Sequence, residues 1–260
     1  MVDPGEGQHG LSALERLDLA LASRFVAAGA EHEAVTTAER VLANMRRPSP
    51  DDGPFLAALL RLRGFVVTDH DAADVLADRA TRLSPLSQEH RMIRGLAKCL
   101  AMVRQRAAAG QTPDGWFLVE LFKAMTGELP RFRNNELRRE VPWDALLYVR
   151  YPGAEELRYL LDTFDEARCY RDIAMVWNAL HPTRQGFRLM WRFARIAPFP
   201  DFNLVMAWLA MNAWLLAKGY PMVAPDRQDQ QFLSRLVSGP PPTKIVQYEG
   251  RLLAMLGGAA

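Results

Sequence analysis

The chain has 260 residues, of which 49% are hydrophobic and 24% charged, with a net charge of +2. That length and balance fit one large domain, or one domain with a helical extension, and argue against a disordered chain. So small a net charge excludes bulk nucleic-acid binding, and no apolar run reaches the ~18 residues that a bilayer span needs, so neither nucleic acid nor membrane is an expected partner. The two cysteines, Cys99 and Cys169, belong to no CxxC and read as buried thiols. The acidic, glycine-rich start is unlike a signal peptide, so a cytoplasmic protein is expected.

In chain order, residues 1–10 read as a mobile tail. Leu11, Leu14, Leu17, Leu21 and Phe25 recur at spacings of three and four, which predicts a helix ended by Gly29. A second helix is expected over 31–45, then a loop over 46–53. Pro54 opens a short apolar helix through Leu62 that Gly64 closes. Residues 65–68 read as a short strand or an extended connection. Asp71 is the expected N-cap of a helix running to about Leu83. The trio Asp69, His70 and Asp71 resembles a ligand set only on paper, because neighbours on an extended chain point in alternate directions. Ser87 marks the start of a long helix to about Ala109. After a linker, Trp116, Leu118, Val119, Phe122 and Met125 form the apolar face of a helix ended by Gly127.

The second half changes character. Residues 127–143 are irregular and charged. Residues 145–151 have a β-like composition and predict a two-stranded flap closed by Pro152 and Gly153, with Tyr148 and Arg150 on one face. A helix over 155–164 follows, then one over 170–180 that buries Ile173, Val176, Trp177 and Leu180 and delivers His181. The arginines Arg184, Arg188, Arg192 and Arg195, spaced four, four and three, form a single stripe on a helix. The stripe is either a solvated face or an anion site for a phosphate, a carboxylate or an acyl-phosphopantetheine group. Residues 203–217 are apolar all round and read as a buried helix, turned at Gly219 and Pro221. Trp191, Trp208 and Trp214 read as core. Further helices over 225–236 and 244–256 are expected to pack back on the bundle.

This order of elements, with His181-Pro182 at the end of an apolar helix, resembles the Fic (fido-fold) family over roughly residues 115–221. The family pattern is His-Pro-Phe-x-Asp/Glu-Gly-Asn-Gly-Arg-x-x-Arg, and Gly186 and Arg192 match its first glycine and last arginine. The stretch 203–216, followed by Lys218-Gly-Tyr-Pro221, is also similar to the family's helix and its ending. The resemblance implies an all-α fold: a Fic-like core over 113–222 with a small β-hairpin flap, a helical region over 11–112 before it, and C-terminal helices over 223–260 packed on it. It implies a nucleotide-dependent transferase, most often one moving AMP onto a protein hydroxyl. His181 would be the base, a glycine-rich turn at a helix N-terminus would cradle the phosphates, and a protein target would dock at the flap. ATP is the only cofactor the resemblance suggests, and the residues themselves demand none.

The motif departs from that pattern at five positions. Thr183 replaces phenylalanine, Gln185 the acidic residue that holds magnesium, Phe187 asparagine, Arg188 the second glycine and Leu189 the first arginine. Without a carboxylate at 185 no metal is expected, since Mg²⁺ prefers charged oxygen ligands. The expected function is a divergent Fic-like enzyme. His181, kept neutral by nearby cations, acts as general base. Arg184, Gln185, Gly186, Arg188 and Arg192, with Tyr148 and Arg150 from the flap, hold an anionic small molecule, nucleotide or carrier-bound substrate. An AMP or phosphoryl transferase and an inactive binding or regulatory protein are the two rivals, since a fold does not dictate its chemistry.

Overall fold

The computed structural model describes residues 50–132, 137–146, 149–165 and 182–225. The tail over 1–10, the helices expected over 11–29, 31–45, 170–180 and beyond 225, and the residues Tyr148, Cys169 and His181 lie outside the described residues.

Helix α1 (Asp52–Arg63) buries Phe55, Leu56, Leu59 and Leu60 and ends at Gly64, as its pattern predicts. Residues 65–68 form an extended connection without strand pairing. Helix α2 (Asp69–Leu76) corrects two expectations. Its N-cap is Thr68, whose hydroxyl accepts from the Asp71 amide at 3.1 Å while the Asp71 carboxylate accepts from the Thr68 amide at 2.8 Å, a reciprocal capping box. It also stops at Leu76 rather than near Leu83, because the chain turns back there: Arg79 pairs with Asp74, and Arg82 donates from Nε and Nη2 to Asp71 at 2.7 Å. The trio is shared among separate partners, with Arg61 on Asp69, His70 on Asp74 and Arg82 on Asp71.

Helix α3 (Gln88–Ala108) is capped by Ser87, and α4 (Gly115–Thr126) by Asp114, each side chain accepting an amide of the first turn. Leu118, Leu121, Phe122 and Met125 of α4 face the core. Trp116 does not: it is 40% exposed, and its indole Nε1 donates to Asp162 at 2.7 Å, which draws the ring to the surface. A 3-10 turn (Pro130–Phe132) follows, then the short α5 (Leu157–Asp162).

Helices α6 (Pro182–Ile196) and α7 (Asn203–Ala217) complete the described part. Helix α7 is buried without a break from Asn203 to Leu215, as suits a helix that is apolar all round. It packs on α6, α3, α1 and α4. Residues from Phe55 to Val223 join one buried apolar cluster, so both halves of the chain share a core. At the start of α7 the half-buried Asp144 carboxylate accepts from the Asn203 amide at 2.6 Å and from its Nδ2 at 2.8 Å. Beside it, the buried Asp201 accepts from Arg63 and Arg131.

Among the described residues the expected hairpin is not seen: residues 137–146 and 149–153 contain no strand. Their backbone donors go elsewhere. The Arg138 amide bonds the Pro198 carbonyl at 2.9 Å, and the Trp143 amide bonds the Pro200 carbonyl at 2.7 Å. Pro142 and Pro152 have no donor to give a ladder. The Arg138 guanidinium, buried, donates to the carbonyls of Ala197 (2.6 Å), Pro152 (2.7 Å) and Glu140 (3.1 Å). It therefore fastens the segment to the C-terminal end of α6, where a cation suits the helix dipole. The described residues are thus all-α, and no helix among them is long and apolar enough to cross a membrane.

Candidate functional site

Helix α6 begins at Pro182, a residue preorganised for the first helical position. The side chains of Thr183 and Arg184, like the whole of His181, lie outside the described residues. The start of the helix is held by its neighbour. Trp214, near the far end of α7, donates from Nε1 to the Pro182 carbonyl at 2.9 Å, so the two helices run antiparallel.

Gly186 lies one turn further on, in helical conformation. A Cβ there would come 3.1 Å from Trp214 Cδ1, 3.5 Å from Met211 Cγ and 3.6 Å from Leu215 Cδ2. This glycine lets α6 press onto α7. The tight turn that the resemblance implies at 186–188 is replaced by continuous helix, whose amides from Gly186 onward point at the carbonyl four residues back. Arg188 in place of a glycine, and Phe187 buried in the core, both favour helix over turn.

Two of the stripe's arginines do not lie on a solvated face. Arg188 is 7% exposed and Arg192 is wholly buried, with Gln185 buried beside them. Arg195 is half-buried, its guanidinium 5.5 Å from the centre of the Trp191 ring. A guanidinium keeps its charge at every accessible pH, so two of them in a core require acceptors or negative charge close by. Helix α6 itself contains no Asp or Glu.

The family's magnesium ion does not fit these residues. The position matched to its carboxylate carries the neutral amide of Gln185, and the next turn carries the guanidinium of Arg188, which repels a cation. No group of three or more His, Cys, Asp or Glu able to hold a metal occurs among the described residues.

Arg150 is exposed and lies two residues before Pro152, which Arg138 ties to the C-terminal end of α6. Pro182 starts that helix fourteen residues before Ile196, about 21 Å away along the axis. The described geometry therefore gathers Gln185, Gly186, Arg188 and Arg192 on α6 and leaves Arg150 near the C-terminal end of that helix. In the sequence Trp214 reads as plain core, with no sign of its bond to Pro182. Nothing local links residues 32 positions apart. Nor does the sequence show the polar cluster at the start of α7. There, burial and the nearby Asp201 push the Asp144 carboxyl up, against the pull of its bonds from Asn203 and of the nearby Arg63.

No known family model matches the chain, and no protein of curated function matches it in sequence. Solved structures do match in shape. A Fic domain containing signaling protein from Bacteroides thetaiotaomicron VPI-5482 is 17% identical with a TM-score of 0.67, covering 85% of this chain and 92% of its own. Fic-1 from C. elegans is 13% identical with a TM-score of 0.63, covering 98% of this chain and 76% of its own. A variant of the same worm protein gives 12% and 0.66. These overlaps reach well beyond residues 115–221. At such identities the likeness establishes a shared architecture and leaves the chemistry open: this chain is a Fic-fold protein.

Proposed function

We propose that this protein is a cytoplasmic Fic-fold enzyme in which His181 is the general base and the arginines of α6 hold an anionic substrate, with no metal. The burial of Arg188 and Arg192 on the helix that starts directly after His181 carries this reading. In a water-poor site a guanidinium is a strong, bidentate partner for phosphate or carboxylate. It supplies the positive charge that Gln185, in place of a carboxylate, cannot recruit through magnesium. His181 takes the proton of a hydroxyl that attacks the phosphorus or acyl carbon of the substrate, the group bonded there leaves with the electron pair of the bond that breaks, and the arginines offset the negative charge that develops. The substrate class is a phosphorylated or carboxylated small molecule, free or carried on a protein.

The helical course of residues 182–188 favours a second reading. With the phosphate-cradling turn replaced by helix, the protein binds its anion or a protein partner and turns nothing over.

Thermal denaturation with inorganic pyrophosphate, AMP and ATP, each in EDTA and in Mg²⁺, tests both. Saturation at a hundred times Kd stabilises by about 2.7 kcal/mol, a rise of roughly 5–10 °C for a chain of this size. We expect that rise in EDTA, its loss in Arg188→Met, and consumption of the probe by ³¹P NMR that stops in His181→Ala. A rise that needs Mg²⁺ would favour an ordinary nucleotide transferase. A rise in EDTA with an unchanged ³¹P spectrum favours the binding protein.

A further inference from the structure

We infer that residues 139–143 form a self-association surface, at which two copies of this chain pair about a two-fold axis near Val141. Val141 is 67% exposed and Trp143 56% exposed, two residues apart on one short segment. The backbone is fastened on both sides of them. Pro142 between them is buried, the Arg138 amide bonds the Pro198 carbonyl, and the Trp143 amide bonds the Pro200 carbonyl. The Asp144 carboxylate holds the Asn203 amide at the start of α7. The Trp143 ring is braced as well, with Phe132 5.9 Å from it and the Arg131 guanidinium 5.5 Å over it. A held backbone thus displays an aliphatic and an aromatic side chain to water. A partner covering such a pair has little further ordering to impose, which favours binding.

The charges of the segment select the partner. Arg131 is matched by Asp201 at 3.2 Å, Arg138 is buried among carbonyls, and Asp144 is taken by Asn203. Arg139 and Glu140 are the exposed charged residues of the segment 137–146. One charge of each sign favours neither a polyanion nor a polycation. It complements a surface that also carries one of each, and a second copy of the chain is such a surface. A two-fold axis at Val141 sets that residue against its own copy. It also brings Arg139 of each protomer, two positions from the axis, toward the partner's Trp143, two positions on the other side. A guanidinium over an indole face is a favourable cation–π pairing, and the isologous arrangement makes it twice. The patch is small beside the roughly 1,200 Å² of a stable complex, so the pairing is weak, with a Kd on the order of 100 µM.

Sedimentation equilibrium of the full chain from about 10 µM to about 1 mM brackets that constant. The average mass should climb toward twice that of one chain. Val141→Glu, which sets two carboxylates face to face on the axis, should weaken the association at least about tenfold, as should Trp143→Ala. Arg139→Glu should weaken it about threefold or more. Trp116→Ala removes another exposed tryptophan, on α4, and should leave it within about twofold of wild type. In a Cys169→Ser background, Val141→Cys should form a disulfide-linked dimer on mild oxidation, because a residue on a two-fold axis meets its own copy, and Trp116→Cys should not. If Trp143→Ala fails to fold, the exposed positions Val141 and Arg139 carry the test. A wild type that stays monomeric at about 1 mM leaves the patch to a different protein and overturns the inference. So does an association that survives Val141→Glu, or a cross-link formed by Trp116→Cys and not by Val141→Cys.

Discussion

Gly95 of α3 lies so close to α4 that a Cβ on it would overlap the Met125 carbonyl oxygen and press on that residue's carbonyl carbon and Cα. These are backbone atoms, which cannot swing aside as a side chain can. Gly95→Ala should therefore push two core helices apart and destabilise the fold by about 3 kcal/mol or more, read as a lower urea midpoint. Gly186→Ala meets only the edge of an indole and should cost less, about 1 kcal/mol.

Arg138 gathers carbonyls from three stretches of chain, and burial pulls its guanidinium down from its ordinary value without neutralising it. Arg138→Met should leave several carbonyls unsatisfied and cost about 3 kcal/mol. Arg138→Lys should recover less than half of that, since one ammonium cannot reproduce a planar fork. Urea denaturation of the two variants side by side measures both effects.

Arg82 beside Asp71, with help from Thr68, holds the Asp71 carboxyl far below its ordinary value of 3.8. A depressed folded value means that the ionised form is the one the fold favours. Its contribution is fully present above about pH 4 and fades as the pH falls through the folded value. Unfolding midpoints followed from pH 6 down to pH 2 should decline less steeply in Asp71→Asn than in wild type, with the variant already weaker at pH 6. Thr68→Ala, which removes the cap alone, should cost about 1 kcal/mol.

Burial pushes the Cys99 thiol up to about 12, and its Sγ donates to the Leu121 carbonyl at 3.1 Å. Only about one thiol in ten thousand is then ionised at pH 8. In a Cys169→Ser background, Ellman's reagent should leave the folded protein unmodified and react with one equivalent once denaturant is added.

Much of this architecture is legible residue by residue. The apolar run over 204–217, interrupted only by Asn212, reads as an interior helix, and Ser87 and Gly64 punctuate α3 and α1 where their chemistry predicts. The failures share a cause. Thr68 and Asp71 both suit a cap, and only the reciprocal bonds choose between them. Leu146, Val149 and Tyr151 look like strand, yet the Leu146 amide bonds the Tyr151 hydroxyl, and just before them the amides of Arg138 and Trp143 bond the carbonyls of Pro198 and Pro200, more than fifty residues away. Trp116 fits an apolar face until Asp162 claims its N–H. The spacing of the arginines does not say whether they face water, and it is the structure that places Arg188 and Arg192 inside. Local pattern reports which residues prefer a helix or an interior, and it is blind to a polar partner distant in the chain.

Arg63, the last residue of α1, pairs with Asp201 across 138 positions. A ribosome adding roughly 5–20 residues per second delivers that aspartate some seven to twenty-eight seconds after the arginine. Through that interval the amino-terminal helices have neither their counter-ion nor the central helix that follows it. A fold that closes through this pair and packs around α7 is therefore completed only after translation has passed that helix.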